Sequence, residues 1–71
     1  MLLSWSKERR FYNVHLQANL FGGISIICSW GSIDKKGGGH KIIYCDNEAD
    51  VENTLQAIRK RRRARGYILT E

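Results

Sequence analysis

The chain concentrates its basic residues near the C-terminus, in the stretch IRKRRRARG that begins at Ile58. Six of the seven positions from 59 to 65 are lysine or arginine. Cations at the end of a helix complement the negative end of its dipole, but one or two are enough for that purpose. Guanidinium groups also form strong, often paired hydrogen bonds to phosphate oxygens. We therefore expect this cluster to contact nucleic-acid phosphates, through Arg59, Arg61, Arg62, Arg63 and Arg65.

A second basic segment, DKKGGGHK, spans residues 34–41 and contains three consecutive glycines. Glycines let backbone N–H groups approach a phosphate closely, and Lys35, Lys36 and Lys41 place cations around them. The same composition also suits an ordinary flexible hairpin loop. A loop of the nucleotide-hydrolysing type is not supported, because the lysine spacing is wrong and no serine or threonine follows a Gly-Lys pair.

Trp30 precedes both of these features in the sequence and lies four residues before Asp34. Alternation places it on one face with Ile24, Ile26 and Cys28, so packing in the core is the default interpretation. It is also the last residue of its predicted strand, where one ring edge can stay exposed beside the glycine loop. An exposed ring flanked by lysines can stack on a base or sugar, which is worth about 1–3 kcal/mol per stacked base. Both roles can hold at once.

Catalytic and metal-binding patterns are absent from the sequence. Nothing places a serine, a histidine and a carboxylate together, as nucleophilic catalysis requires. The two cysteines and two histidines show none of the roughly two-to-four-residue spacings that zinc sites use. We therefore expect no catalytic residue, no cofactor and no metal, and a binding module rather than an enzyme.

The distribution of charge points to the class of partner. Residues 1–58 carry six basic and six acidic residues, so the formal net charge of +5 comes entirely from residues 59–71. Such asymmetry suggests a polyanionic partner, with nucleic acid first and an acidic membrane surface second. We expect nucleic acid, DNA more than RNA, and no membrane. The alternative is an acidic protein that binds the basic helix.

The N-terminal stretch MLLSWSKERR does not resemble a signal peptide, and no window approaches the length of a transmembrane span. We therefore expect a cytoplasmic protein. Cys28 and Cys45 are expected to be reduced in that compartment and half-buried in strands.

The sheet follows from three segments that alternate apolar and polar residues with the period of a strand, residues 10–17, 24–30 and 40–45. The turn ANLFGG between the first two predicts a hairpin. Trp5 is expected in a short preceding strand, and residues 31–39 are expected to form a loop.

The helix follows the third strand. Asp46 or Asn47 supplies the small polar side chain that caps a helix, and acidic residues come directly after it. Apolar residues then recur at helical spacing, at Val51, Leu55 and Ile58. Gly66 is the expected stop.

These elements predict an α+β fold, a small antiparallel sheet packed against one long C-terminal helix in a single domain of residues 1–71. The apolar stripe of the helix continues to Arg62 and Arg65, so its last turns are expected to be basic on every side and to project past the sheet. Residues 67–71 are expected to be an extended tail.

An ordered series of short motifs then resembles a known family. They are RFY at 10–12, LQANLFGG at 16–23, WGSI at 30–33, GGG at 37–39, NEAD at 47–50 and RARGY at 63–67. In this order and spacing they resemble the WGR domain, and most closely its short stand-alone bacterial members. The resemblance covers nearly everything after Lys7.

The resemblance implies an antiparallel sheet with a helix packed against it, and it implies DNA binding. WGR domains of DNA-dependent poly(ADP-ribose) polymerases bind DNA ends, with the motif tryptophan against the terminal nucleotide and basic residues near the 5′ phosphate. By that resemblance Trp30 is the end-contacting ring and Arg10 contacts phosphate. The sequence departs from the motif twice, since Ser32 replaces its arginine and Asp34 replaces the glycine two residues later. Asp34 is expected to add a negative charge at the same rim.

Overall fold

This computed structural model describes residues 2–20, 22–34 and 37–70, which form one five-stranded sheet and one long helix. The elements in chain order are β1 (Leu2–Lys7), β2 (Arg10–Ala18), β3 (Ile24–Ser32), β4 (Gly38–Cys45), α1 (Glu48–Ala64) and β5 (Ile68–Leu69). Every pair of neighbouring strands is antiparallel, and the strand order is β4-β3-β2-β1-β5. The predicted α+β fold, an antiparallel sheet with one long C-terminal helix, is confirmed.

The alternation of residue types gives the sheet one buried face, which we call the inner face. Val14 on β2 and Ile26 and Cys28 on β3 are almost completely buried there. Trp5 from β1 and Cys45 from β4 complete the same layer. Both cysteine thiols are free and buried, more deeply than the half-buried positions expected for them.

Helix α1 covers the inner face, and both of its ends are capped as the sequence predicts. The Asn47 side chain accepts a hydrogen bond from the backbone N–H of Asp50 at 2.9 Å, which satisfies one of the free donors of the first turn. At the other end Gly66 has a φ of +83°, and its N–H donates to the Arg63 carbonyl at 3.0 Å. The buried stripe of the helix consists of Val51, Leu55 and Ile58.

Two boundaries differ from the sequence prediction. The loop expected over residues 31–39 is shorter, because β3 continues to Ser32 and β4 already begins at Gly38. The glycines allow this extension, since Trp30 pairs with Gly39 across the two strands. The tail is not merely extended either, because Ile68 and Leu69 pair with β1 as a further strand.

Helix α1 therefore crosses the inner face from one sheet edge to the other. It begins after β4 and is followed by β5, which lies at the opposite edge beside β1. The Lys7 ammonium donates to the Arg65 carbonyl at 2.7 Å and ties the end of the helix to that edge. No helix within the described ranges is long and apolar enough to cross a membrane.

Candidate nucleic-acid interface

A cleft of about 600 Å³ opens between the inner face and the last turns of α1. Its floor is formed by side chains of β2, β3 and β4, including Tyr12, Trp30 and Lys41. Its wall is formed by the C-terminal half of the helix, and Tyr67 closes one end. Ligand sites in proteins commonly fall between about 300 and 1,000 Å³. The cleft is therefore large enough to hold one nucleotide.

Aromatic rings form the centre of the cleft floor. The rings of Tyr12 and Trp30 are stacked, with centroids 5.9 Å apart and an angle of 11° between their planes. Trp5 meets the other side of Tyr12 edge-on at 6.2 Å. Trp5 and Tyr12 are buried, whereas Trp30 keeps 36% of its surface exposed. Trp30 therefore packs against the core through one part and presents the rest to the cleft.

Arg62 lies over this aromatic floor and does not extend into solvent. Its guanidinium carbon is 4.2 Å from the centroid of the Tyr12 ring and 5.1 Å from that of Tyr67. Its Nε atom is buried and has no hydrogen-bond acceptor among the described residues. A cation over an aromatic face is worth about 0.5–1 kcal/mol when exposed and about 2 kcal/mol when desolvated, and Arg62 is half-buried. The expectation that the last turns of the helix project past the sheet is therefore wrong at Arg62.

The remaining cations of the cleft leave it strongly positive. Arg10 and Lys41 come from the sheet, and Arg61 and Arg65 come from one flank of the helix. Among the described residues that line the cleft, none is aspartate or glutamate. Concave sites lined by charges of one sign focus their field and attract ligands of the opposite sign.

Five of the sequence-predicted contacts lie outside this group or cannot be placed in it. Arg59 lies on the other flank of the helix, in a shallow depression with Glu52 and Gln56. Arg63 is exposed and does not line the cleft. Lys35 and Lys36 lie outside the described residues. Arg62 lines the cleft but is occupied by its two aromatic neighbours.

Tyr12 and Tyr67 are not among the site residues that the sequence predicts. Alternation along β2 does place Tyr12 on the inner face, but only the register between strands shows that it lies opposite Trp30. Tyr67 reaches the cleft because the chain turns sharply at Gly66, where positive φ is tolerated.

A comparison with family models matches residues 4–71 to the WGR domain. The chain belongs to the WGR domain family. WGR domains are known from poly(ADP-ribose) polymerases as modules that bind DNA ends, and in their known contexts they are not themselves catalytic. Comparisons with curated proteins and with solved structures found no match.

The WGR motif positions of this chain lie at the mouth of the cleft. Ser32, which replaces the motif arginine, pairs directly with Arg10 across β2 and β3. Paired residues project from the same face of a sheet, so Arg10 places a guanidinium beside the position where the motif arginine would stand. This WGR domain therefore keeps an arginine at this rim, on the neighbouring strand.

Asp34, the second departure from the WGR motif, does not line the cleft. Its carboxylate accepts a hydrogen bond from the Arg9 guanidinium at 2.6 Å. The backbone reinforces this contact, because the N–H of Ile33 donates to the Arg9 carbonyl at 2.7 Å. The negative charge expected at the rim is therefore balanced by Arg9.

Tyr12 also makes the stability of this WGR domain depend on pH. Burial, together with a hydrogen bond to the Cys28 thiol, raises the pKa of Tyr12 to about 12, against the opposing effect of Arg62 and Arg61. An unfolded tyrosine has a pKa near 10. Between about pH 10 and 12 the unfolded chain has lost this proton while the folded chain retains it, so stability falls as pH rises through that window.

We expect Tyr12→Phe to lose less stability than the wild type between about pH 9 and 11. Urea unfolding at the two pH values measures the difference, and the other tyrosines and the lysines are shared by both proteins. An equal loss in the two proteins would show that Tyr12 does not carry this dependence.

Proposed function

We propose that this WGR domain is a non-enzymatic, cytoplasmic module that binds nucleic acid, DNA in preference to RNA, at strand ends. The observation that carries the proposal is the cleft, where a half-exposed tryptophan meets several cations and no described acidic residue. The terminal nucleotide enters the cleft and stacks on Trp30. Family membership supports this assignment, because DNA ends are the ligand of the module in its known contexts.

Different cleft residues contact phosphate and position the aromatic rings. Arg10 and Lys41 on the sheet and Arg61 and Arg65 on the helix contact phosphates on either side of the stacked base. Lys35 and Lys36, which lie outside the described residues, are included in the proposal as further phosphate contacts. Arg62 holds the two tyrosines and, through Tyr12, the position of Trp30.

Stacking favours an end over a continuous duplex. A base inside a duplex is already stacked on both sides, whereas a terminal base has one free face that can meet an aromatic side chain. Stacking on an aromatic side chain is worth about 1–3 kcal/mol per base, or roughly 5- to 150-fold in affinity. Phosphate contacts attract ends and continuous duplexes alike, so Trp30 is the residue that separates the two.

The test is fluorescence anisotropy with labelled duplexes that have open ends or ends closed by loops, with and without a 5′ phosphate, over a salt series. RNA duplexes of the same sequence form a parallel arm. We expect Trp30→Ala to bind closed duplexes as well as the wild type does, with the same salt slope, and to lose the preference for open ends. Trp30→Phe, which keeps a ring, should retain most of that preference.

Each protein is first shown to be folded by circular dichroism. If Trp30→Ala keeps the preference for ends, the ring does not contact the terminus. If no duplex or single strand binds near physiological salt, the nucleic-acid proposal fails. The outward-facing cations of α1, which include Arg59 and Arg63, then favour an acidic protein partner.

A further inference from the structure

The two faces of the sheet differ completely in charge. The outer face, which α1 does not cover, consists of the even-numbered residues of β1 and β4, the odd-numbered residues of β2 and β3, and Ile68 of β5. None of these residues is aspartate, glutamate, lysine or arginine. The charged residues of the strands, Lys7, Arg10 and Lys41, all lie at inner-face positions.

Three apolar side chains and one histidine cross the middle of the outer face, and all of them except the half-buried Ile27 are exposed. Leu2, His15, Ile27 and Ile42 are paired in register and form one row across four strands. Ile42 keeps 45% of its surface exposed, and Tyr44 keeps 74%. Exposed apolar side chains that are grouped on one face mark an interaction surface more often than those that are scattered singly.

We propose that the outer face is the interface of a homodimer, in which two copies of the chain pack sheet against sheet. The distribution of charge favours a second copy over the other candidates. The Asp, Glu, Lys and Arg side chains that the structure describes lie on the helix side or in loops, so two copies meet through faces without these charges. A nucleic acid would find no cation on the outer face, and a charged protein partner would find no counter-charge.

The size of the chain sets the largest area that such a pair can bury. The two longer extents of the whole chain are 37 and 24 Å, so the outline of the outer face is at most roughly 700 Å², close to the ~800 Å² per partner of a standard interface. Two sheets that pack face to face interleave their side chains at about 10 Å, with strands about 30° apart. A twofold axis brings the same row of residues together from both copies, as an isologous interface requires.

A dimer of this geometry has a consequence for binding, which rests on the proposed function. The cleft lies on the helix side of each sheet, so the two clefts of a dimer point in opposite directions. Each dimer then holds two nucleic-acid ends at once and bridges two separate molecules.

The first experiment measures the mass in solution without nucleic acid, by sedimentation equilibrium over a range of concentrations. We expect the mass of two chains for the wild type and half that mass for Ile42→Lys, because the lysines of the two copies meet at the interface. The matched control is Leu20→Lys, which replaces an apolar residue that is 97% exposed in the β2–β3 turn, away from the face. It should remain a dimer.

A wild type with the mass of one chain at every concentration overturns the proposal, as does a dimer that persists in Ile42→Lys. A second experiment mixes duplexes carrying donor and acceptor dyes, and energy transfer between them reports bridging. The wild type should give transfer, and folded Ile42→Lys should bind each duplex without it. Because the mass is measured without nucleic acid, a failure to dimerise can be distinguished from a failure to bind nucleic-acid ends.

Discussion

Arg61→Ala/Arg65→Ala is expected to weaken binding to open-ended DNA by roughly 100-fold, whereas Arg59→Ala/Arg63→Ala weakens it only a few-fold. A hydrogen bond to a charged group contributes about 1.5–3 kcal/mol, so removing two phosphate-binding arginines accounts for a change of this size. The two double variants form a matched pair, because each removes two arginines four residues apart near the C-terminal end of α1, with Arg65 directly after its last residue. They differ in which flank of the helix they alter, since only Arg61 and Arg65 line the cleft.

Salt dependence gives this comparison a second, independent readout. Each phosphate of duplex DNA that the protein no longer neutralises reduces the steepness of log K against log salt by about 0.9. The slope should therefore fall by nearly two in the cleft variant and change little in the other. Equal losses of affinity and slope would mean that the helix attracts DNA only by its total charge. Circular dichroism of both variants checks that the helix is retained.

The strands and the helix could be predicted because their information is local. Alternation along β2 and β3 indicates which residues face inward, and Asn47 and Gly66 mark the ends of α1 through backbone chemistry that any helix shares. The fifth strand could not be predicted in the same way. Ile68 and Leu69 form only two pairs, with residues more than sixty positions earlier, and no local pattern encodes such a partner.

The candidate site was predicted in composition but not in arrangement. The sequence identified Arg10, Trp30, Lys41 and the arginine cluster, and the register of β2, β3 and β4 is what brings the first three to one cleft. In the sequence the arginines of residues 59–65 form one basic cluster, yet the helix divides them between two flanks. Arg62 was assigned to phosphate, and its position over two tyrosine rings depends on a turn and a strand pairing that the sequence pattern does not show.

Ser32 illustrates how a motif can mislead when it is read as a string. Three adjacent letters of the WGR motif lie on β3, but the surface they form also includes the partner strand. Arg10 stands directly opposite Ser32, so the guanidinium missing from one strand is available from the next. The rim therefore still carries one guanidinium, although the motif arginine is absent.

Gly38→Ala is expected to destabilise the domain strongly. Gly38 has a φ of +125°, which residues with a side chain rarely adopt, and a Cβ atom there would overlap the Trp30 carbonyl oxygen. Neither problem can be relieved by a rotamer change, because both involve the backbone of paired strands. Strain of this kind costs about 1–3 kcal/mol, a large fraction of the roughly 4–10 kcal/mol expected for a domain of this size. Thermal unfolding followed by circular dichroism should show a decrease in Tm of roughly 5–20 °C.

The neighbouring Gly39→Ala provides the control, because its effect falls on the ring and not on the backbone. Gly39 does not have a positive φ, and an added Cβ would lie 2.6 Å from Cζ2 of the Trp30 ring. The ring can move to relieve that contact, so Gly39→Ala should remain folded while its preference for DNA ends falls as in Trp30→Ala. A Gly38→Ala protein as stable as the wild type would show that β4 does not begin in the described conformation. A Gly39→Ala protein that keeps the preference for ends would show that binding does not depend on where the Trp30 ring lies.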